Sequence, residues 1–229
     1  VSATIGNDRL DVRGFASAYV LHRYAVLFYT LLFTMAAAPL LTALGQSGSL
    51  IELLLAVSLL AAVVPVASAR DRLIMLALVL AVWAARLATA WMDHRLLSTL
   101  TLGMSTAIGL FAAASALWFA MRAEHIDAEH LYAALSAYLL AGIFFGLFYW
   151  ILEQVWSGSF AAPGEFSRMS ALYFSFVTLA TLGYGDIVPR SDVARGLAIV
   201  EGVGGQLFLA VMVARLVSLY GRGESRTTG

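Results

Sequence analysis

"TLATLGYGDIVP", residues 178–189, interrupts a chain dominated by Leu, Ala and Val by setting Gly-Tyr-Gly-Asp between apolar stretches. The surroundings decide what such a loop can do. Of 229 residues, 61% are hydrophobic and 12% charged, with a mean hydropathy of +0.86, whereas ordinary soluble domains carry about 25% charged residues. This composition marks an integral membrane protein. The formal net charge is zero and there is no polybasic run, which argues against nucleic acid as a partner. The absence of cysteine excludes a disulfide framework and thiolate chemistry. Four scattered histidines form no metal-ligating cluster.

An α-helix rising about 1.5 Å per residue needs roughly 20 apolar residues to cross about 30 Å of hydrocarbon. Six stretches qualify: 24–44, 50–69, 73–91, 96–121, 131–152 and 193–220. With the N-terminus inside, Arg9, Arg13, Arg23, Arg70, Arg72, Arg122, Arg222 and Arg226 are cytoplasmic. Only Arg95, Arg168, Arg190 and Arg195 are then external. That bias favours cytoplasmic termini. The expected organisation is a cytoplasmic segment 1–23, a four-helix unit 24–121, a charged amphipathic linker 122–130, a helical unit 131–220 and a polar cytoplasmic tail 221–229.

One apolar stretch remains, 166–181, and it is too short to cross. It must enter the bilayer and return, or lie as a buried interfacial helix; the residues C-terminal to it decide. "APGE" at 162–165 suits a turn into a helix, with Glu165 or Ser167 able to cap its free amides. Non-helical backbone at membrane depth is tolerated only inside protein or along a water-filled cavity. Glycine adopts a positive φ at little cost, so alternating Gly183 and Gly185 with Leu182 and Tyr184 lets successive carbonyls point one way. A row of carbonyls facing one axis can replace the hydration shell of a cation.

"TLATLGYGD", preceded by an aromatic-rich short helix and followed by Pro189, resembles the signature of the potassium-channel superfamily. The pattern of outer helix, re-entrant pore helix, selectivity filter and inner helix covers 131–220, and the four preceding spans resemble a voltage-gated layout. "EGVGGQLFLAVMVARLV" is similar to the tail of small bacterial channels of this kind. The resemblance implies an all-α membrane protein with six transmembrane helices, assembled as a homotetramer in the plasma membrane of a prokaryotic cell. It also implies that Thr181, Leu182, Gly183, Tyr184 and Gly185 form the filter, with potassium held at Thr181, Leu182, Gly183 and Tyr184. Thr178 would end the pore helix, Asp186 would hydrogen-bond behind the filter to Tyr173, and Tyr184 would pack on an aromatic at the Phe174 position. Leu182 and Ala180 depart from the commoner Val and Thr. No cofactor is implied beyond the permeant potassium ion, and no enzyme motif is present: Glu52, Arg86, Asp93, Glu153 and Glu201 are scattered.

In the last span the resemblance places Gly205 at a gating hinge, while small residues also serve close helix packing. Gln206, Leu209, Val213 and Val217 share one helical face and are expected to line the cavity and inner gate. The fourth span, 96–121, carries no charge, so the membrane potential has little to act on. Glu52 and Arg86 are the ionisable residues set deep in the second and third spans, and His125 and His130 in the linker are candidate acidity sensors. Glu201, flanked by "LAIV" and "GVGG", lies five residues before Gln206, about 140° around the helix. It therefore points away from the ion path towards the pore helix, where Ser170, Ser175 or Thr178 could bond it and brace the filter. The expected function is passive, potassium-selective conduction without steep voltage dependence. A weakly selective cation channel of the same fold and, further off, a potassium-uptake transporter subunit are the alternatives.

Overall fold

The computed structural model describes residues 22–44, 57, 73, 76–77, 79–85, 95–122 and 127–224. Its elements are α1 (Arg23–Ala43), α2 (Arg95–Arg122), α3 (Ala128–Val155), β1 (Phe160–Ala161), α4 (Arg168–Leu179), β2 (Val188–Pro189) and α5 (Asp192–Glu224). Among the described residues, four helices, α1, α2, α3 and α5, are long and apolar enough to cross a membrane. The chain is an all-α membrane protein. The expected spans at 24–44, 96–121, 131–152 and 193–220 correspond to these four helices. Of the expected span 50–69 only residue 57 is described, and of 73–91 residues 73, 76–77 and 79–85 are described and helical; Glu52, Arg86, 1–21, 123–126 with His125, and 225–229 lie outside the described residues.

Two boundaries differ from the sequence expectation. The linker 122–130 is shorter, because Arg122 still belongs to α2 and α3 begins at Ala128. Asp127 is the reason: its carboxylate accepts the His130 backbone N–H at 3.0 Å and meets His130 Nδ1 at 2.6 Å. It thereby satisfies amides that a helix start leaves open. At the other end, α5 continues past Tyr220 to Glu224, so the expected tail is helical at its start.

The helix α3 is the hub, packed by α1, α2 and α4, while α5 lies on α4. Alanines on α2 (Ala112, Ala113, Ala116) and on α3 (Ala133, Ala134, Ala137) share one core with Leu27 and Leu31 of α1. Small residues let membrane helices approach closely, and contact between backbones and ridges then replaces the hydrophobic drive that lipid cannot supply. Glycines extend this. A Cβ on Gly109 of α2 would collide with the Phe144 ring. On α3, a Cβ at Gly142 would sit 2.5 Å from the Phe176 ring, and one at Gly146 would sit 2.8 Å from Leu172 Cα. The short helix α4 is thus seated in a slot along α3.

A second core holds the C-terminal end of α3. Phe160 stacks on Phe166 at 4.6 Å, and Tyr149 meets the Phe174 ring edge-on at 5.0 Å. Above it β1 and β2 pair antiparallel, Phe160 opposite Pro189. The Arg190 N–H donates to Ser159 O at 2.7 Å. Glu153 at the end of α3 accepts the backbone N–H groups of Gly158 and Phe160 at 2.7 and 3.1 Å. The loop entering α4 and the strand leaving the 178–189 stretch are therefore fastened together.

Candidate functional site

The helix α4 starts on Ser167, whose hydroxyl accepts the Ser170 N–H at 3.1 Å. Of the two capping candidates, Ser167 is the cap. The helix runs one residue beyond Thr178, to Leu179, with Ala180 as its C-cap. Its twelve residues rise about 18 Å, which is short of a crossing. After it the chain turns back: the Thr181 N–H donates to Thr178 O at 3.0 Å and the Leu182 N–H to Val177 O at 2.9 Å. From α3 the Tyr138 hydroxyl donates to Leu179 O at 3.2 Å. The end of α4 is fixed by its neighbour as well as by its own turn.

The next residues alternate in hand. Thr181, Gly183 and Gly185 have φ of +55°, +56° and +77°, while Leu182 and Tyr184 between them do not. The two glycines take this conformation freely, but for a β-branched residue it is unfavourable by roughly 1–2 kcal/mol. Thr181 is held there by its side chain, which donates to Ala180 O at 2.8 Å and accepts from Gln206 Nε2 at 3.0 Å. Residues 181–186 are exposed in the single chain, Leu182 at 56% and Tyr184 at 66%.

Beside this segment the Tyr173 hydroxyl lies within electrostatic range of the Asp186 carboxylate, and its ring stacks on Tyr184 at 6.3 Å with planes 8° apart. Phe174 differs from the position expected for it. It is buried against Tyr149 and Phe160, and Tyr173 is the ring that meets Tyr184 within the chain. Successive helical residues diverge by about 100°, so only one of the two can face the loop.

Glu201 on α5 is 1% exposed. Of its three candidate partners the structure selects Ser175, whose hydroxyl bonds Glu201 Oε1 and also lies 2.7 Å from Gly142 O. The Tyr149 hydroxyl donates to Glu201 Oε2 at 2.6 Å. Tyr149 was missed in the sequence; the available signal was a tyrosine inside an apolar helix, whose hydroxyl must find a partner when buried. Gln206 is brought to Thr181, a pairing likewise unforeseen. Gly205 is buried, and a Cβ there would lie 2.6 Å from Leu179 O. That is close packing of α5 on the end of α4. Gln206, Leu209, Val213 and Val217 are exposed along α5. Arg195 is within 3.6 Å of Asp192 and donates to Pro189 O at 3.4 Å. Arg215 donates to Ala120 O in the last turn of α2.

A short helix that stops inside an apolar bundle, followed by an exposed loop of alternating hand and an apolar helix packed on its end, defines a multi-pass membrane protein with a re-entrant loop. Residues 134–222 match the family model described as "Ion channel". Protein LctB of Geobacillus stearothermophilus is 33% identical over 125 residues, covering 51% of this chain and 92% of that protein. Inward rectifier potassium channel Kirbac3.1 of Paramagnetospirillum magnetotacticum is 34% identical over 85 residues, 37% of this chain and 28% of its own. Two-pore potassium channel 4 of Arabidopsis thaliana is 46% identical over 50 residues, 22% of this chain and 18% of its own. The chain therefore spans less than a third of the length of these two channels. No solved structure matches it. The chain belongs to the ion-channel family, within the potassium-channel superfamily.

Proposed function

We propose that the chain is one subunit of a homotetrameric, potassium-selective channel that conducts passively and is not steeply voltage-gated. The observation that carries this is the alternation of hand at Thr181, Gly183 and Gly185. In an ordinary strand successive carbonyls point to opposite sides; inserting a left-handed residue at every second position turns them to one side. Carbonyl oxygens so aligned replace water around a cation. The C-terminal end of α4 lies immediately before them and contributes a partial negative charge that favours a cation there.

One chain supplies one such strand, and an ion needs oxygens from several sides. The exposure of Leu182 and Tyr184, and of Ile199, Val200, Val203 and Leu207 along α5, supports further copies around the loop. Backbone at membrane depth requires protein or a water-filled path beside it. Closed cyclic symmetry is the ordinary way to provide both. Gln206, Leu209, Val213 and Val217 would then line the inner cavity. The setting is a prokaryotic plasma membrane with both termini cytoplasmic.

Bi-ionic reversal potentials of the purified protein in liposomes test the proposal. A strong shift towards the potassium equilibrium potential is expected. Equal permeability of sodium and potassium would replace it with a weakly selective cation channel of the same fold.

A further inference from the structure

The oxygens around Glu201 raise a question of proton count. Ser175 Oγ is in hydrogen-bonding reach of Gly142 O at 2.7 Å and of Glu201 Oε1. Its hydroxyl has one proton to give, and a backbone carbonyl and an ionised carboxylate both only accept. Tyr149 gives its proton to Glu201 Oε2 at 2.6 Å, so it cannot supply the missing one. With an ionised Glu201 one of the two Ser175 contacts has no hydrogen in it. With a protonated Glu201 every contact is filled: Oε1–H donates to Ser175 Oγ, Ser175 Oγ–H donates to Gly142 O, and Tyr149 donates to the carbonyl oxygen Oε2.

The surroundings agree. Among the described residues, the groups facing this carboxyl are Tyr149 and the more distant Tyr138 on α3 and Ser175 on α4, none of them basic. A charge buried at membrane depth without a counter-ion is strongly unfavourable, and a neutral acid avoids it.

We infer that Glu201 is a positioning residue held as a neutral carboxylic acid, clamping α5 to α3 and α4 through Ser175 and Tyr149. Its partner Ser175 lies one helical turn before Leu179 and Ala180, the residues that launch the 181–185 segment. A displacement of α5 is thereby passed to α4 through the Glu201–Ser175 bond and to α3 through the Tyr149 bond, with Ser175 and Gly142 O joining α4 to α3, rather than through apolar contact alone. The protonation rests on geometry and stands apart from the channel reading; the consequence for conduction rests on that reading.

Infrared spectroscopy of the full chain in lipid at neutral pH, with carboxyl-labelled glutamate, tests it. We expect a protonated-acid carbonyl band that is absent in Glu201→Gln. In Tyr149→Phe, where Oε2 loses its donor, the band should move to higher frequency, and this second variant serves if the first does not fold. Carboxylate absorption alone, with no acid band sensitive to either change, would overturn the inference, whatever the selectivity of the protein proves to be. Gln can reproduce both contacts, donating to Ser175 and accepting from Tyr149, so Glu201→Gln should retain potassium flux. Glu201→Val should lose about tenfold or more, because it leaves the buried Tyr149 hydroxyl without its acceptor and removes the bond from α5 to Ser175. Equal flux in the Val variant would remove the clamping role.

Discussion

The side-chain amide of Gln206 donates to the hydroxyl of Thr181 at 3.0 Å, joining α5 to the first left-handed residue after α4. Thr181 uses its own proton on Ala180 O, so the hydroxyl is filled as donor and as acceptor. An exposed neutral hydrogen bond contributes about 1 kcal/mol, too little for its loss to unfold the protein. Gln206→Ala is therefore expected to leave thermal stability almost unchanged while lowering single-channel conductance, since Thr181 loses the contact that holds its hydroxyl. Unaltered conductance in planar bilayers would separate the pairing from the ion path.

Gly205 and Gly204 should behave oppositely. A Cβ at Gly205 meets Leu179 O at 2.6 Å and Leu179 Cδ1 at 3.0 Å, whereas one at Gly204 meets nothing within 4 Å. Gly205→Ala should destabilise by about 1–3 kcal/mol through overpacking. Gly204→Ala should be neutral or stabilising by up to about 1 kcal/mol, from the better helix propensity of alanine. Thermal unfolding of the two variants side by side checks this; identical midpoints would contradict the close approach of α5 to α4.

Between Arg95 and Arg122, α2 carries no charged side chain. Each elementary charge moved through the membrane field is worth about 2.3 kcal/mol per 100 mV, and this helix has none to move in its interior. Open probability should therefore vary little with voltage. A steep conductance–voltage relation, equivalent to several charges, would show that other segments carry the sensor.

The Asp127 cap gives a pH dependence whose sign is fixed. The His130 backbone N–H, more than any other group, holds its carboxyl below its ordinary value of 3.8. A carboxyl lowered in the folded state contributes stability that is complete above its unfolded value and is lost as pH falls through the lowered one. Asp127→Asn keeps a cap without the titration, so its acid limb should be flatter than that of the parent. Asp127→Ala should lose about 1 kcal/mol at neutral pH. Unfolding midpoints measured from neutral to strongly acidic pH distinguish the three proteins.

The re-entrant loop was legible because two features of different kind coincide at one place: an apolar run too short to cross and glycines at alternate positions. Helix positions followed from hydropathy, with ends displaced by polar caps such as Asp127 that a window of apolar residues does not register. Glu201 stood out as a carboxylate in an apolar helix, and its direction followed from helical period. Its partner Tyr149 is 52 residues away in the chain, and no periodicity within one helix reports on which residue of another helix meets it. The same limit applies to Tyr173 and Phe174. Both are aromatic neighbours, and only the crossing of α4 with α3 decides that Phe174 joins the Tyr149–Phe160 cluster while Tyr173 faces Tyr184.

The seating of α4 on α3 has a consequence for height within the bilayer. Phe176 and Leu172 rest where Gly142 and Gly146 lack side chains, so two absent methyl groups act as a depth stop for the re-entrant helix. Restoring a methyl at Gly146 would press on the backbone at Leu172 and lift the whole loop as a rigid piece, leaving its internal alternation of hand intact. The altitude of the 181–185 segment is thus written into a different helix, at two residues that lie outside that segment.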